Sequence, residues 1–296
     1  MRKLSQEPEK TKQMLAFEKR EKEIISSAPP TPIRIKKFQK LMWDFYKKEG
    51  RAMPWRHTNN LYHVMVSEIM LQQTQVKRVF GFYERFLKKF PTIHDLASSP
   101  LKDVLIAWQG LGYNRRAKFL HEAAKIMDTR GVPQTIAELQ KLPGIGYNTA
   151  CSTATFTYNM PVVFVETNIR TIMIYFFAHH KENINDKEIL SLVAKTLPKK
   201  NYREWYYALM DYGSFLKSRV VNPSRQSKHH QKQSKFEGSD RQIRGKIIKT
   251  LLTTEMTLVT LAKKLKISPM RLSEQIKNLT NEKMIAKKGN KYSLPH

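Results

Sequence analysis

The sequence predicts an all-α fold over about residues 33–220, followed by a small C-terminal domain of helices and a short hairpin. Three observations lead there: apolar residues recur at helical spacing, Gly and Pro punctuate the chain at short intervals, and alternating β-branched runs are few. Residues 1–32 are charged and close on Ala28-Pro29-Pro30-Thr31-Pro32, which reads as a mobile or loosely helical arm ending in a stiff linker. From Ile33 onward, Ile35, Phe38, Leu41, Met42, Phe45 and Tyr46 keep one apolar face. Phe80, Tyr83, Phe86 and Leu87 keep a second, and Val104, Ala107 and Trp108 a third. Helices stop or start at Gly50, Pro54, Pro91, Pro100, Gly110-Leu111-Gly112, Gly131, Pro133, Pro143 and Pro161.

Beyond the helical core, residues 221–239 form a basic linker within a stretch, 217–249, whose only acids are Glu237 and Asp240. Two readings stand for it: a solvated connector, or a strap in which Arg225, Lys228 and Lys232 contact phosphates. The adjacent His229 and His230 point apart and read as solvated rather than as metal ligands. Residues 240–296 read as a separate domain. One helix covers about 240–252, a second is carried by Leu258, Leu261, Ala262 and Leu265, and a third, capped by Ser268 with Pro269 at its first position, carries Leu272, Ile276 and Leu279. Gly289-Asn290 then turns a short hairpin. That order is the order of a winged helix, whose third helix, here bearing Arg271, Gln275 and Lys277, enters the major groove. Winged helices also dock proteins, and both uses stay open at this point.

Composition narrows the function class. The 296 residues, 41% hydrophobic, suffice for about two domains with real cores. Lys and Arg number 53 against 25 Asp and Glu, a net charge of +28 that attracts polyanions, with nucleic acid favoured over an anionic membrane. Cys151 is the single cysteine, so no internal disulfide forms and no zinc or iron–sulfur site held by four cysteines of this chain. No apolar run reaches the roughly 18 residues of a spanning helix, and the polar start MRKLSQEPEKTKQ is not a secretory signal. The expectation is a cytoplasmic, nucleoid-associated protein.

The sharpest local pattern is Leu142-Pro143-Gly144-Ile145-Gly146 between two helical segments. Its glycines let backbone N–H groups at a helix N-terminus approach a phosphate closely. This pattern resembles the hairpin of the helix-hairpin-helix DNA glycosylase superfamily. Further stretches, Pro54-Trp55-Arg56, Ser67-Glu68-Ile69-Met70-Leu71-Gln72-Gln73-Thr74-Gln75, Gly110-Leu111-Gly112-Tyr113 and Met210-Asp211-Tyr212-Gly213, resemble the MutY-type adenine glycosylases in order and approximate spacing. The resemblance covers about 38–220 and implies a helix-hairpin-helix core of two helical lobes. It implies DNA or base contacts by Trp55, Arg56, Gln72, Gln73, Tyr113, Gly144, Gly146, Tyr147, Thr149 and Asn168, on double-stranded DNA carrying a mismatched or damaged base. Gln72 and Gln73 would fill the hole left by a flipped base and Tyr113 would wedge the opposite side. Each of these taken singly is equally at home on an ordinary surface or in a core.

Excising adenine needs a proton on the purine and a negative charge near the sugar as an oxocarbenium ion develops. Glu68 lies in an apolar helix, where burial favours the protonated acid, and by resemblance it is the adenine-protonating residue. The second carboxylate is Glu166, where the resembled family usually has Asp; the extra methylene is expected to make it overshoot unless the backbone recedes. Lyase members carry an amine nucleophile two residues after Gly146, and this chain has Asn148, which predicts base removal without efficient strand cleavage. The four cysteines that usually follow the Met-Asp-x-Gly motif are missing, as is the C-terminal domain that senses 8-oxoguanine. The leading expectation is a monomeric, monofunctional adenine glycosylase acting opposite G or 8-oxoguanine, with no cofactor beyond a monovalent cation at the hairpin. The alternatives are a thymine, uracil or damaged-base glycosylase on the same fold and a non-catalytic DNA-binding protein.

Overall fold

The computed structural model of the chain describes residues 7–26, 28–229 and 235–295; His230 and Lys232 of the linker lie outside them. In order run α1 (Glu7–Ile24), α2 (Pro32–Glu49), α3 (Leu61–Leu71), α4 (Val76–Lys89), α5 (Ile93–Ser98), α6 (Leu101–Trp108), α7 (Arg115–Arg130), α8 (Ile136–Leu139), α9 (Tyr147–Tyr158) and α10 (Thr167–Met173). Then come α11 (Asp186–Thr196), α12 (Tyr202–Lys217), α13 (Asp240–Leu251), β1 (Met256–Thr257), α14 (Leu258–Leu265), α15 (Pro269–Asn281), β2 (Ala286–Lys288) and β3 (Lys291–Ser293). The chain divides into two compact units, one of residues 1–52 and 154–231, the other of 53–153 and 232–296.

The first unit is built on α2, α10 and α12. Phe38 is fully buried and meets Phe176, Phe177 and Trp205 edge to face at 5.3, 5.1 and 6.0 Å, an arrangement that adds to the burial of the rings themselves. Asp211, buried on α12, accepts from the Arg51 backbone N–H at 2.9 Å and from its Nε at 2.6 Å, which fixes the chain as it leaves α2. The N-terminal arm, expected to be mobile or loosely helical, contains α1, whose Phe17, Glu21 and Ile24 are buried. Tyr212 donates to Glu21 at 2.5 Å, Arg219 pairs with Glu18 and Glu21, and Phe17 packs on Phe45 at 5.6 Å. Two of its acids, Glu18 and Glu21, are taken up by these partners, while Lys19 and Lys22 stay exposed.

In the second unit Trp108 and Phe86 meet edge to face at 5.7 Å, and the Tyr62 hydroxyl donates to the Phe90 carbonyl at 2.8 Å. Thr92 and Thr135 close capping boxes with Asp95 and Glu138, which start α5 and α8. Residues 240–296 follow the predicted order: α13, α14 and α15 with a three-stranded antiparallel sheet in the order β1-β3-β2, registered by Met256 opposite Tyr292 and Lys287 opposite Tyr292. Ser268 stands before α15 with Pro269 at its first position, but its side chain makes no capping hydrogen bond. Glu282 takes Arg244 of α13 at 2.5 Å and Arg115 of α7 at 3.4 Å, tying this segment to the helical body of its unit. Among the described residues no helix is long and apolar enough to cross a membrane.

Candidate functional site

The second unit gathers most of the predicted residues around the C-terminal end of α3. This helix buries Val64, Met65, Val66, Ile69 and Met70, so Glu68 is the one carboxylate on an otherwise apolar element. Ser152 on α9, itself buried, donates to Glu68 Oε2 at 2.5 Å. One turn after Glu68 on α3, and one turn before Ser152 on α9, Gln72 Nε2 donates to Thr149 Oγ1 at 3.2 Å. The spacings 68/72 and 149/152 put both pairs on facing stripes. Ser152 escaped the sequence reading because a serine inside Thr-Ala-Cys-Ser-Thr-Ala carries no signal of its own.

The helix-hairpin-helix turn joins α8 to α9. Leu142 and Ile145 are buried anchors, and the Ile145 N–H donates to the Leu142 carbonyl at 3.2 Å. Gly144 has φ +76°, and a Cβ there would lie 2.8 Å from Phe119 Cβ, so only glycine fits. At Gly146 a Cβ would meet nothing within 4 Å, so nothing inside the protein demands glycine in front of α9. Tyr147 and Asn148 are exposed, and burial pushes the Cys151 thiol up.

Gln73 and Tyr113 stand on two loops and share an unusual backbone: both are non-glycine residues at positive φ, +56° and +49°. Such conformations cost of order 1–3 kcal/mol each and persist only when their surroundings impose them. Arg116, 8% exposed at the start of α7, binds the residues that flank both. Its Nη1 donates to the carbonyls of Ile69 and Met70 at 2.9 Å and of Gln72 at 2.5 Å; its Nη2 donates to Thr74 Oγ1 and the Gly112 carbonyl at 3.1 Å. The guanidinium also lies over the rings of Trp108 and Tyr113, at 5.6 and 5.2 Å. Burial pushes its pKa down to about 10, so it stays protonated at neutral pH. It ties the end of α3 to the Tyr113 loop, and the sequence reading missed it because an arginine among arginines reads as surface.

Some expected contacts are corrected. Trp55 is 4% exposed, packed on Phe80 and Tyr83 at 5.2 and 5.5 Å, so it supports the lobe and is closed to DNA; Arg56 beside it is half-buried. On α15 Gln275 is 3% exposed, and Arg271 is held by Asp240 at 3.0 Å and the Gly238 carbonyl at 2.6 Å. Of the three residues predicted to read a groove, Lys277 alone is exposed without such a tie.

Glu166 lies in the first unit, at the N-cap of α10. The expected overshoot does not occur: the carboxylate curls back, its Oε1 accepting from the Asn168 and Ile169 N–H groups at 2.7 and 2.9 Å and its Oε2 from Asn168 Nδ2 at 3.2 Å. The extended run before it is pinned by Tyr206, which donates to the Val162 carbonyl at 2.7 Å and stacks on Phe164 at 4.1 Å. Burial pushes the Glu166 carboxyl up; the two N–H donors and the Lys217 ammonium pull the other way. Burial in turn pushes the Lys217 amine down. Gly213 of α12 makes this possible, since a Cβ there would sit 2.5 Å from the Asn168 carbonyl oxygen. Lys217 and Gly213 were legible only as parts of a late helix.

A family model described as HhH-GPD superfamily base excision DNA repair protein matches residues 66–199. Relatives named adenine DNA glycosylase include that of Buchnera aphidicola subsp. Baizongia pistaciae, 38% identical over 187 residues (60% of this chain, 52% of the relative). That of Rattus norvegicus is 36% identical over 178 residues, or 54% of this chain and 34% of the relative. The chain thus spans about half the length, or less, of these relatives. Among solved structures a thermostable thymine-DNA glycosylase aligns with a TM-score of 0.58 at 22% identity, covering 65% of this chain and 91% of that one. An endonuclease III–DNA covalent intermediate aligns at 0.53 with 18% identity, covering 62% and 87%. These two establish the shared fold.

Gly213→Ala is expected to destabilise the first unit by about 1–3 kcal/mol, because the added methyl must push α12 off the α10 N-terminus. Urea unfolding followed by tryptophan fluorescence measures it; an unmoved midpoint contradicts the close approach.

Proposed function

We propose that this chain, which carries an HhH-GPD superfamily domain, is a monofunctional DNA glycosylase that removes adenine mispaired with guanine or 8-oxoguanine. The observation that carries the reading is Glu68: a carboxyl alone on an apolar helix, held by Ser152, one turn ahead of the Gln72–Gln73 loop. Relatives 31–38% identical that bear the name adenine DNA glycosylase support the choice of base. Glu68 gives its proton to the purine ring, the C1′–N bond breaks with its electron pair leaving on the neutral base, and water adds to C1′, releasing a proton that restores the Glu68 acid. Glu166, ionised, supplies the negative charge that the developing oxocarbenium ion requires. The Glu68 proton suits a purine, because thymine leaves more readily as an anion.

Duplex DNA is the partner. Gln73 and Tyr113, both at positive φ on loops tied by Arg116, are the residues assigned to the base stack in this reading. The open space before α9 at Gly146 suits a phosphate, alone or with a monovalent cation. Asn148 supplies no amine, so the product is an abasic site with an intact strand. The reaction draws on no cofactor, and the protein acts as a monomer in the cytoplasm on chromosomal DNA.

Duplexes bearing A·8-oxoG, A·G, T·G and U·G, cleaved with alkali after incubation, test the reading. Product is expected from adenine strands, reduced at least about 100-fold in Glu68→Gln, and no cleavage is expected without alkali. Product from T·G or U·G that survives Glu68→Gln overturns it, as does binding with no product from any duplex. The pH dependence tests Glu166. Burial favours its neutral form, so the single-turnover rate is expected to rise with pH through a value above the ordinary 4.5. By the same sign, this carboxyl stabilises the fold while protonated and loses that contribution as pH climbs through the raised value. A Glu166→Gln variant that keeps the wild-type rate and profile removes it from the mechanism.

A further inference from the structure

The sequence points to α15 as the helix of the C-terminal segment that meets DNA, and the structure withdraws that face. Gln275 is buried, Arg271 pairs with Asp240 at 3.0 Å, and the exposed Lys277 follows the exposed Glu274 by one turn. The basic face lies instead on α13. This helix carries Arg241, Arg244, Lys246 and Lys249, with Asp240, its one acid, at its first position. Arg244 is taken up by Glu282, whereas Lys246 and Lys249 are exposed and share one stripe at i, i+3.

That stripe faces a cleft of about 570 Å³ within the second unit. Gln73, Arg78 and Tyr113 line one side; Arg241, Lys246 and Lys249 line the other, and no carboxylate lines it anywhere. Arg241 joins the two sides: it hydrogen-bonds the Tyr113 hydroxyl, and its guanidinium lies over the rings of Tyr113 and Phe236 at 5.0 and 5.4 Å. Four cations around a cleft with no acid among its lining residues create a strongly positive groove, the electrostatic footprint of a phosphodiester strand. Gln73 and Tyr113, assigned above to the base stack, line the same groove.

We propose that the C-terminal segment meets duplex DNA through α13 and not through α15, with Lys246 and Lys249 contacting the phosphates of the strand that runs past Gln73 and Tyr113. This rests on the reading of those loops as DNA-contacting. It makes the C-terminal segment an extension of the glycosylase surface, gripping backbone without reading sequence.

The test measures binding of the full chain to a fluorescent A·8-oxoG duplex across 50–200 mM salt, with excision assayed on the same samples. Each phosphate contact contributes a slope of about −0.9 in log K against log salt. The double variant Lys246→Ala/Lys249→Ala is therefore expected to flatten the slope by about 1.8 and weaken binding at 100 mM salt by tens of fold. Lys277→Ala is expected to keep the wild-type slope. Both lysines are exposed, so the fold survives their loss, and an unchanged circular dichroism melt verifies this. A wild-type slope in the α13 variant, or a flattened one in Lys277→Ala, overturns the proposal. If the wild-type chain excises nothing but the α13 variant flattens the slope, the glycosylase reading fails and the α13 interface stands.

Discussion

A buried guanidinium holds the working end of this protein together. Taking an arginine out of water without a carboxylate costs several kcal/mol. Hydrogen bonds from a charged donor return about 1.5–3 kcal/mol each, so the burial of Arg116 is tolerable only because four carbonyls and a hydroxyl converge on it. Two of those carbonyls, of Ile69 and Met70, belong to the last turn of α3, where a positive charge also complements the helix dipole. The other acceptors lie on the loops that hold Gln73 and Tyr113 at positive φ. One side chain thus ties α3, and with it Glu68, to both loops. No acid neutralises it among these partners, so it leaves a positive charge beneath the two loops.

The first unit solves a different problem with similar means. Its half-buried carboxylate, Glu166, must be anchored. The N-cap of α10 anchors it with two backbone N–H groups, and Gly213 lets α12 close over the cap. In the resembled family a cysteine-bound cluster follows this helix; here Lys217 lies close enough to Glu166 to bias its charge. Arg219 runs back to Glu18 and Glu21 of α1. The turn Pro223–Gln226 is stitched down as well, with the Ile184 N–H donating to the Gln226 carbonyl and the Lys228 N–H to the Ile184 carbonyl, both at 3.0 Å. Ion pairs and a buried tyrosine–carboxylate cluster thereby brace the segment after α12 with ordinary side chains.

What the sequence made legible were features with a periodic or local signature. The Leu-Pro-Gly-Ile-Gly hairpin, the apolar α3 with its lone acid, and the helix–helix–helix–hairpin order of residues 240–296 each follow from rules acting over a few residues. What stayed hidden depended on distant partners. Arg116 reads as surface until five acceptors from other segments surround it. Trp55 reads as a DNA contact by resemblance until Phe80 and Tyr83 enclose it. The charged arm reads as solvated until Tyr212 and Arg219, some 190 residues away in the chain, receive Glu21. Gln275 looks like a groove reader by composition, and packing against α13 and α14 turns it inward. A polar residue's environment is set by tertiary structure, which no window of sequence contains.

The most direct test of this account is amide hydrogen exchange on Arg116→Met, a substitution that keeps the bulk of the side chain and removes its five hydrogen bonds. The α3 end at residues 70–74 and the loop at 111–114 are expected to lose protection together, while α5 and the Trp108–Phe86 core keep theirs. Wild-type protection in either loop would contradict the claim that one guanidinium holds both.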